Sequence, residues 1–271
     1  MNNKPIGLYD SGFGGLSVWR ELYWSLPDES LVYLGDGLHC PYGALPPERI
    51  LELAQRSVEV LIERGCKMIV VACNTATAVA IKCLREKYPD IPFVGLEPAV
   101  KPACLTTRSG VVGVVATERS LQAEKFLTTL SKYGEGVEVI KAVGRGFVEA
   151  VEANAEAEES TEVVVRRVIE PVIEAGADTI VLGCTHYPFL RGVIDKVIGD
   201  RAVRVIDSGE AVEKRVESLL DKYDIRAEDD NDARYEFLTF ADEAYAERLS
   251  CKAFGREVGP SDDVKCRAIH Y

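Results

Sequence analysis

The sequence predicts an α/β protein built from two similar units, each with a parallel sheet. Short apolar runs bounded by Gly, Asp, Asn or Thr alternate with longer amphipathic stretches, as is typical of parallel strands that are buried on both faces. Part of the chain also repeats itself at a constant spacing, which indicates a duplicated unit. The length of 271 residues, with 47% hydrophobic and 28% charged residues, fits a globular protein of one large or two small domains.

Eight apolar runs are predicted strands, in the order of the chain. They are Ile6–Tyr9, Leu31–Leu34, Met68–Ala72, Phe93–Leu96, Val111–Val115, Val137–Ala142, Thr179–Gly183 and Val203–Ile206. Helices are predicted between them, for example over Pro47–Arg64, which has Pro-Glu in its first turn and ends before a glycine. The acidic segment Asp221–Asp232 is predicted to be a solvated loop or linker.

The repeat relates two stretches of the chain that share Glu, Gly, Ile, Val and Cys. Glu63–Cys73 and Glu174–Cys184 correspond at an offset of 111, and so do Phe93–Glu97 and Arg204–Ser208. Upstream, Gly7 and Ser11 correspond to Gly113 and Thr117 at an offset of 106. A chance likeness between two βαβ segments is the alternative, because all such segments share Gly and Val. The repeat predicts a first, discontinuous domain of residues 1–96 plus 207–271 and a second domain of residues 97–206, related by a pseudo-twofold axis.

Composition and charge exclude several classes of function. The 32 basic and 44 acidic residues leave a net charge of −12, the wrong sign for nucleic acid or anionic lipid. No apolar run approaches ~18 residues, and the short start before Ile6 leaves no room for a signal peptide. None of the eight cysteines forms a CxxC pair. We therefore expect a cytoplasmic enzyme or binding protein with reduced thiols.

Cys73 and Cys184, the repeated pair of cysteines, are the best candidates for chemistry. Each follows a predicted buried strand and precedes a predicted helix, at the edge where ligands bind in open α/β sheets. The helix N-terminus there favours a thiolate. A buried structural cysteine is the alternative, and it is the interpretation we keep for the other six.

Two equivalent thiols suit the inversion of a stereocentre. If the two units face each other, one thiol removes a proton from one face of a carbon while the other returns a proton to the opposite face. His186 is placed to assist Cys184, and Asp10 to assist Cys73, although a solvent-facing histidine is the alternative for His186. The residues show no metal-ligand spacing, and this chemistry needs no cofactor.

Two turns are candidates for binding an anionic substrate. The Gly-rich turn over residues 10–17 leads into a helix and suits an anionic group, with a simple packing turn as the alternative. Pro41–Gly43 is a rigid turn that offers a backbone N–H and the phenol of Tyr42, with an ordinary surface turn as the alternative.

Five blocks of sequence resemble the signature blocks of the glutamate racemase family. They are residues 10–18, Tyr33–Asp36 with Pro41–Gly43, Ala72–Ala76, Gly183–Pro188 and Asp207–Ser208, and together they span about three quarters of the chain. The resemblance implies a cofactor-independent interconversion of L- and D-glutamate that supplies bacterial peptidoglycan synthesis. It also implies two α/β domains with the active site in the cleft between them, and a homodimer.

The resemblance carries over to individual residues of this chain. It implies that Cys73 and Cys184 are catalytic, assisted by Asp10 and His186. The substrate contacts that it implies, besides those two assisting residues, are Ser11, Tyr42, Gly43, Asn74, Thr75, Thr117, Glu152 and Thr185.

The chain departs from the family pattern at a few positions. Gly37 replaces a usual Thr or Ser, Gly144–Gly146 replaces Cys-Pro before Phe147, and Phe126 replaces a Tyr. Two other functions remain open: an aspartate racemase of the same superfamily, and a non-catalytic amino-acid-binding regulatory protein. His186 favours glutamate over aspartate, because the aspartate enzymes tend to carry an acidic residue there. Retention of both thiols and both assisting residues favours an enzyme over a sensor.

Overall fold

A computed structural model of the chain describes residues 2–258 and 264–269, and helices alternate with strands over most of this length. The strands are β1 (Ile6–Asp10), β2 (Leu31–Gly35), β3 (Met68–Val71), β4 (Phe93–Gly95), β5 (Val111–Ala116), β6 (Glu138–Val143), β7 (Thr179–Gly183), β8 (Arg204–Ile206), β9 (Tyr235–Thr239) and β10 (Val264–Ala268). The helices are α1 (Leu16–Ser25), α2 (Pro47–Glu63), α3 (Asn74–Lys87), α4 (Val100–Thr106), α5 (Glu118–Gln122), α6 (Glu124–Tyr133), α7 (Phe147–Glu152), α8 (Glu159–Glu174), α9 (Arg191–Ile198), α10 (Gly209–Tyr223) and α11 (Glu243–Phe254). Two 3-10 helices cover Tyr42–Ala44 and Tyr187–Leu190.

The chain forms two compact units, each with its own sheet. Residues up to Leu96 and from Gly209 onward make the first unit, and Glu97–Ser208 make the second. The sheet of the first unit has the order β10-β9-β2-β1-β3-β4, and that of the second has the order β6-β5-β7-β8. All neighbouring strands run parallel. The predicted α/β class with two parallel sheets is therefore confirmed.

The sequence repeat corresponds to a repeated strand order. The run β2-β1-β3-β4 in the first sheet has the same connectivity as β6-β5-β7-β8 in the second. Gly7 pairs with Ile69 in the first sheet, and Gly113 pairs with Ile180 in the second, in agreement with the offsets of 106 and 111. The last strands differ by one residue, because Ile69 pairs with Phe93 whereas Ile180 pairs with Val205. The offset there is 112 rather than 111.

All eight predicted strands are present, with ends that differ by no more than one residue, but the sequence analysis missed β9 and β10. Both carry charged residues within a short run, Glu236 in β9 and Lys265 and Arg267 in β10, so neither resembles a fully buried parallel strand. They extend the first sheet beyond β2, with β10 at its edge. The acidic loop was predicted to begin at Asp221, but helix α10 continues to Tyr223 because its apolar face is buried.

Local sequence explains where the long helix α2 begins and ends. Pro47 occupies its first turn together with Glu48, where a missing N–H costs nothing and a carboxylate favours the helix N-terminus. Gly65 follows the helix with a φ of +77°, a left-handed conformation that glycine adopts easily. The apolar face of α2 packs with α3 on the sheet, in a core that includes Leu53, Val58 and Val71. None of the helices in the part of the chain that the structure describes is long and apolar enough to cross a membrane.

The last part of the chain supports the loop that follows β2. The Thr239 hydroxyl at the end of β9 donates to the carbonyl of Asp36 at 3.0 Å. The ring of Tyr245 in α11 stacks on Phe13 with a centroid distance of 4.7 Å. A Cβ on Gly37 would lie only 2.6 Å from that Tyr245 ring. The close approach of the Tyr245 ring therefore requires a glycine at position 37.

A comparison of two glycine substitutions tests this packing. Gly37→Ala and Gly65→Ala both place a Cβ at positive φ, at +65° and +77°, which costs about 1–2 kcal/mol. Only position 37 also meets a ring, since nothing lies within 4 Å of a Cβ at Gly65. We expect Gly37→Ala to lose a further ~1–3 kcal/mol through overpacking. Thermal unfolding followed by circular dichroism measures both, and an equal loss at the two positions would show that Tyr245 does not constrain the loop.

Candidate active site

Cys73 lies at the carboxyl end of β3, where the strand meets helix α3. It is the N-cap of α3, with an extended backbone, and its sulfur accepts the Ala76 N–H at 3.4 Å. An N–H at the positive end of a helix is a donor that favours a thiolate. The side chain is only 4% exposed. The strand–helix junction predicted around Cys73 is thus present, and the cysteine itself caps the helix.

Asp10 and Ser11 lie at the same edge of the first sheet, at the end of the neighbouring strand β1. The Cys73 thiol donates to the Ser11 hydroxyl at 3.7 Å. Asp10 is fully buried, and its Oδ1 accepts the N–H of Gly12 at 2.8 Å. A Cβ on Gly15 would lie 2.7 Å from the Cβ of Asp10, so the Gly-rich turn has to come close to this carboxylate. The glycines therefore serve packing around Asp10 as well as the turn itself.

Asn74 and Thr75 begin α3, next to Cys73, and both are about 95% buried. The side-chain nitrogen of Asn74 has no hydrogen-bond partner among the described residues. An unpaired buried donor costs ~1–3 kcal/mol and calls for an explanation. A bound molecule with an acceptor oxygen would supply that partner.

The phenol of Tyr42 forms a hydrogen bond with the side-chain carboxylate of Asp36. Its hydroxyl donates to Asp36 Oδ2 at 2.6 Å and lies 2.8 Å from the Tyr9 hydroxyl. Burial is the main cause that raises the pKa of both tyrosines, with nearby negative charge as a further cause. Gly43, in the same 3-10 helix, is exposed. The turn therefore offers backbone groups to a ligand while its phenol is held inside.

The hydrogen-bond chain continues from Asp36 toward the surface through His39. His39 Nδ1 lies 2.9 and 3.0 Å from the two Asp36 carboxylate oxygens, and Arg49 Nη2 lies 3.2 Å from Nε2. Sequence analysis missed Asp36, His39 and Tyr9 as parts of the site. The signal for Asp36 was its position directly after a buried strand, where Asp10 also lies.

Cys184 lies at the carboxyl end of β7, the strand that corresponds to β3. It is 7% exposed, and Gly183 before it is required because a Cβ there would lie 2.7 Å from the Cβ of Ala116. The predicted helix does not begin at this cysteine: a turn and a 3-10 helix come first, and α9 begins only at Arg191. Pro188 lies in that 3-10 helix. No α-helix thus begins directly after Cys184.

A histidine and a carboxylate accompany Cys184 instead. His186 Nδ1 lies 3.9 Å from the Cys184 sulfur, and His186 Nε2 lies 2.6 Å from Glu152 Oε1. His186 is 2% exposed. A carboxylate on one ring nitrogen fixes the orientation and tautomer of the imidazole, leaving the other nitrogen to exchange a proton with the thiol. Glu152, for which the family resemblance implied a substrate contact, therefore also orients His186.

Gly144 and Gly146, which depart from the family pattern described above, determine how closely helix α7 with Glu152 packs. Gly146 is the N-cap of α7 with a φ of +84°, and a Cβ on Gly144 would lie 2.5 Å from the Tyr187 hydroxyl. That hydroxyl donates to the Gly144 carbonyl at 3.3 Å, and the Tyr187 ring packs on Phe147. Small residues at 144 and 146 thus let α7 lie against the turn after His186.

Thr117 and Thr185 complete the predicted residues of the second unit. Thr117, the counterpart of Ser11, is the N-cap of α5, and its hydroxyl accepts the Ser120 N–H at 3.3 Å. Thr185 is 5% exposed and follows Cys184 directly. Within either unit taken by itself, no three His, Cys, Asp or Glu side chains among the described residues converge as a metal site.

The comparisons with known proteins agree with this geometry. Residues 33–215, about two thirds of the chain, match the sequence profile of the Asp/Glu/hydantoin racemase family. A glutamate racemase of Herpetosiphon aurantiacus is 44% identical over 92% of this chain and 97% of its own length.

Two solved structures are similar over 98% of each chain at 30% identity. They are a glutamate racemase isoform from Bacillus anthracis, with a TM-score of 0.84, and Escherichia coli glutamate racemase in complex with L-glutamate and the activator UDP-MurNAc-ala, with a TM-score of 0.83. A profile match over most of the chain and a relative this similar leave one conclusion: the chain belongs to the Asp/Glu/hydantoin racemase family.

Proposed function

We propose that this protein interconverts L- and D-glutamate without a cofactor, using Cys73 and Cys184 as acid and base. The observation that carries the proposal is the equivalence of the two thiols: each follows the strand at the same position in a repeated strand order. The glutamate racemases among its relatives support the choice of substrate. Supply of D-glutamate to peptidoglycan synthesis in the cytoplasm, and a homodimer, are parts of the same proposal.

The reaction needs one thiolate and one thiol. The thiolate removes the α-proton of glutamate, and the electron pair left on the carbon delocalises into the adjacent carboxylate. The opposite thiol then gives its proton to the other face, so that the enantiomer forms and the two sulfurs have exchanged protonation states. In this proposal one bound molecule meets both thiols.

The two thiols receive different help in this proposal. The His186–Glu152 pair assists Cys184 by exchanging a proton with it. Cys73 is assisted by the N-terminus of α3 and by Ser11, with Asp10 at the same sheet edge. Both arrangements favour proton transfer near neutral pH.

The remaining predicted residues bind the substrate. The unpaired Asn74 amide donates to a substrate carboxylate, because this gives a buried donor its partner. The backbone of Tyr42 and Gly43 offers N–H groups, since the Tyr42 phenol already donates to Asp36. Ser11, Thr75, Thr117 and Thr185 supply hydroxyl groups to the same molecule.

Isotope incorporation tests the two-thiol mechanism. In D2O, product formed from either enantiomer should carry deuterium at the α-position while unreacted substrate stays protium at low conversion. The delivering thiol exchanges with solvent, whereas the removed proton goes to the other thiol. Cys73→Ser and Cys184→Ser should each lower racemisation ~100-fold or more, since a hydroxyl is too weak an acid. Separation of the two enantiomers on a chiral column, followed by proton NMR of the α-position of each, measures both effects.

Two outcomes would contradict the mechanism. Equal deuterium in recovered substrate and product, or full activity of Cys184→Ser, would mean that a single group faces the α-carbon. If the optical rotation of L-glutamate did not change at high protein concentration, a non-catalytic binding protein would be the better interpretation.

The role of Glu152 is tested by a pair of variants on one helix. Glu152→Gln removes the charge that orients His186, and we expect kcat/KM to fall about 10- to 100-fold. The loss should be the same in both directions, because two enantiomers have an equilibrium constant of one. Glu149→Gln, on the exposed side of α7, is the matched control and should keep its activity. Equal activity of the two variants would leave Glu152 without a part in the reaction.

The absence of a cofactor is a further prediction. Dialysis against EDTA and treatment with a carbonyl reagent should leave racemisation intact, since the thiols provide both acid and base. A loss of activity that returns on adding a metal ion or pyridoxal phosphate would overturn this part of the proposal.

A further inference from the structure

We infer that Asp36, Tyr42 and Tyr9 form a hydrogen-bond chain with a fixed direction, and that this chain opposes ionisation of the Cys73 thiol. The inference deepens the proposed function and rests on the role of Cys73 there. It makes the two tyrosines and the aspartate positioning residues rather than groups that touch the substrate through their side chains.

The donor-to-acceptor direction of this hydrogen-bond chain follows from the number of protons that each side chain carries. An ionised carboxylate only accepts hydrogen bonds, so the Tyr42 hydroxyl must donate to Asp36 across their 2.6 Å contact. A phenol has a single proton, so in the 2.8 Å contact between the hydroxyls Tyr9 must be the donor and Tyr42 the acceptor.

His39 and Arg49 support the same direction from the other side of Asp36. Arg49 can only donate, so the 3.2 Å contact makes His39 Nε2 the acceptor and leaves the ring proton on Nδ1, which donates to Asp36. Donors therefore approach Asp36 from both sides, and none of these contacts can turn Asp36 into a donor. The proton of Tyr9 is directed toward Tyr42 for as long as Asp36 stays ionised.

The other end of the hydrogen-bond chain, Tyr9, lies on the same face of the first sheet as Cys73 and in the same core cluster. Tyr9 of β1 pairs with Val71 of β3, so these two side chains lie on one face of the sheet. Cys73 comes two residues after Val71 with an extended backbone, which places it on that same face. All three belong to one buried core cluster. Negative charge on Cys73 is, after burial, the largest cause that raises the pKa of Tyr9, which agrees with their proximity.

The consequence for Cys73 is a balance of opposed effects. Tyr9, whose proton is committed to Tyr42, can meet the sulfur only with its lone pairs, and this disfavours a thiolate. The carboxylates of Asp10 and Asp36, which also act on Tyr9, add negative charge to the same region. The Ala76 N–H at the start of α3 acts in the opposite direction. The chain thus offsets the effect of the helix and keeps Cys73 a thiol that donates to Ser11.

Alkylation of Cys73 as a function of pH tests this inference without substrate. In a Cys184→Ser background, iodoacetamide labelling of the Cys73 peptide is followed by mass spectrometry. Tyr42→Phe removes the acceptor for the Tyr9 proton, which can then turn to the sulfur and stabilise the thiolate. We expect the midpoint of the labelling profile to fall by about one pH unit, or labelling about tenfold faster at a fixed pH below it. Asp36→Ala, which frees the Tyr42 proton to turn to Tyr9, should shift the midpoint in the same direction.

Two further variants make the result specific. Tyr9→Phe/Tyr42→Phe has no hydroxyl to donate to the sulfur, so its midpoint should lie clearly above that of Tyr42→Phe. Tyr33→Phe removes another buried tyrosine hydroxyl, one that donates to the Gly12 carbonyl at 2.7 Å outside the chain, and should leave the midpoint unchanged. Circular dichroism confirms folding, and either Tyr42→Phe or Asp36→Ala suffices if the other fails to fold.

An unchanged or higher midpoint in folded Tyr42→Phe or Asp36→Ala would overturn the inference, and so would a midpoint in the double variant as low as that of Tyr42→Phe. Because labelling is measured without glutamate, this outcome is separate from the proposed function. A protein that shows the shift but does not racemise glutamate would contradict only the proposed function.

Discussion

The parallel pairing of strands is the constraint on which both candidate sites depend. When neighbouring strands run the same way, their carboxyl ends meet at one edge, and each chain segment that leaves the edge brings its first side chains there. Asp10 and Cys73 meet at this edge of the first sheet because β1 pairs directly with β3. In the second sheet β5 pairs with β7 in the same way, so Thr117 and Cys184 leave from one edge. The duplicated strand order thus gives the two units comparable sheet edges, each with a cysteine at the equivalent position.

Within this common frame, the surroundings of the two thiols have diverged. Cys73 contacts a helix N-terminus and a serine hydroxyl, and a buried tyrosine pair lies in the same core cluster. Cys184 has a histidine backed by a glutamate. The two enantiomers have the same free energy, but the two thiols act on opposite faces of the α-carbon inside an asymmetric protein. The two directions of the reaction can therefore be equally efficient although different residues assist the two thiols. The repeat preserves the position of each sulfur, whereas the residues that contact the sulfur differ between the two units.

Sequence reasoning succeeded where local patterns determine structure and failed where distant contacts do. Apolar runs predicted the eight central strands because those strands are buried on both faces, and the repeat predicted the equivalence of Cys73 and Cys184. The contact between His186 and Glu152 joins residues 34 apart in sequence, and periodicity contains no information on such a contact. The helix expected at Cys184 was wrong because a 3-10 turn with a proline precedes α9. The only sequence signal for Asp36 was its position directly after a strand. Its partners His39 and Tyr42 lie in the following loop, and the conformation of that loop could not be predicted from local patterns.

The elements β9, α11 and β10 follow the second unit along the chain, which has a consequence for synthesis on the ribosome. The second unit is one continuous segment, Glu97–Ser208, whereas the first sheet is completed only by strands that follow it. Because domains generally fold as units while the chain emerges from its N-terminus, the inserted unit has its whole sequence available first. The segment that carries Cys73 has by then emerged, but Tyr245 and Thr239, which support the loop at Gly37, have not. A nascent chain therefore exposes the β2 edge of an unfinished sheet until β9, which ends about thirty residues after the second unit, has been made and pairs with β2.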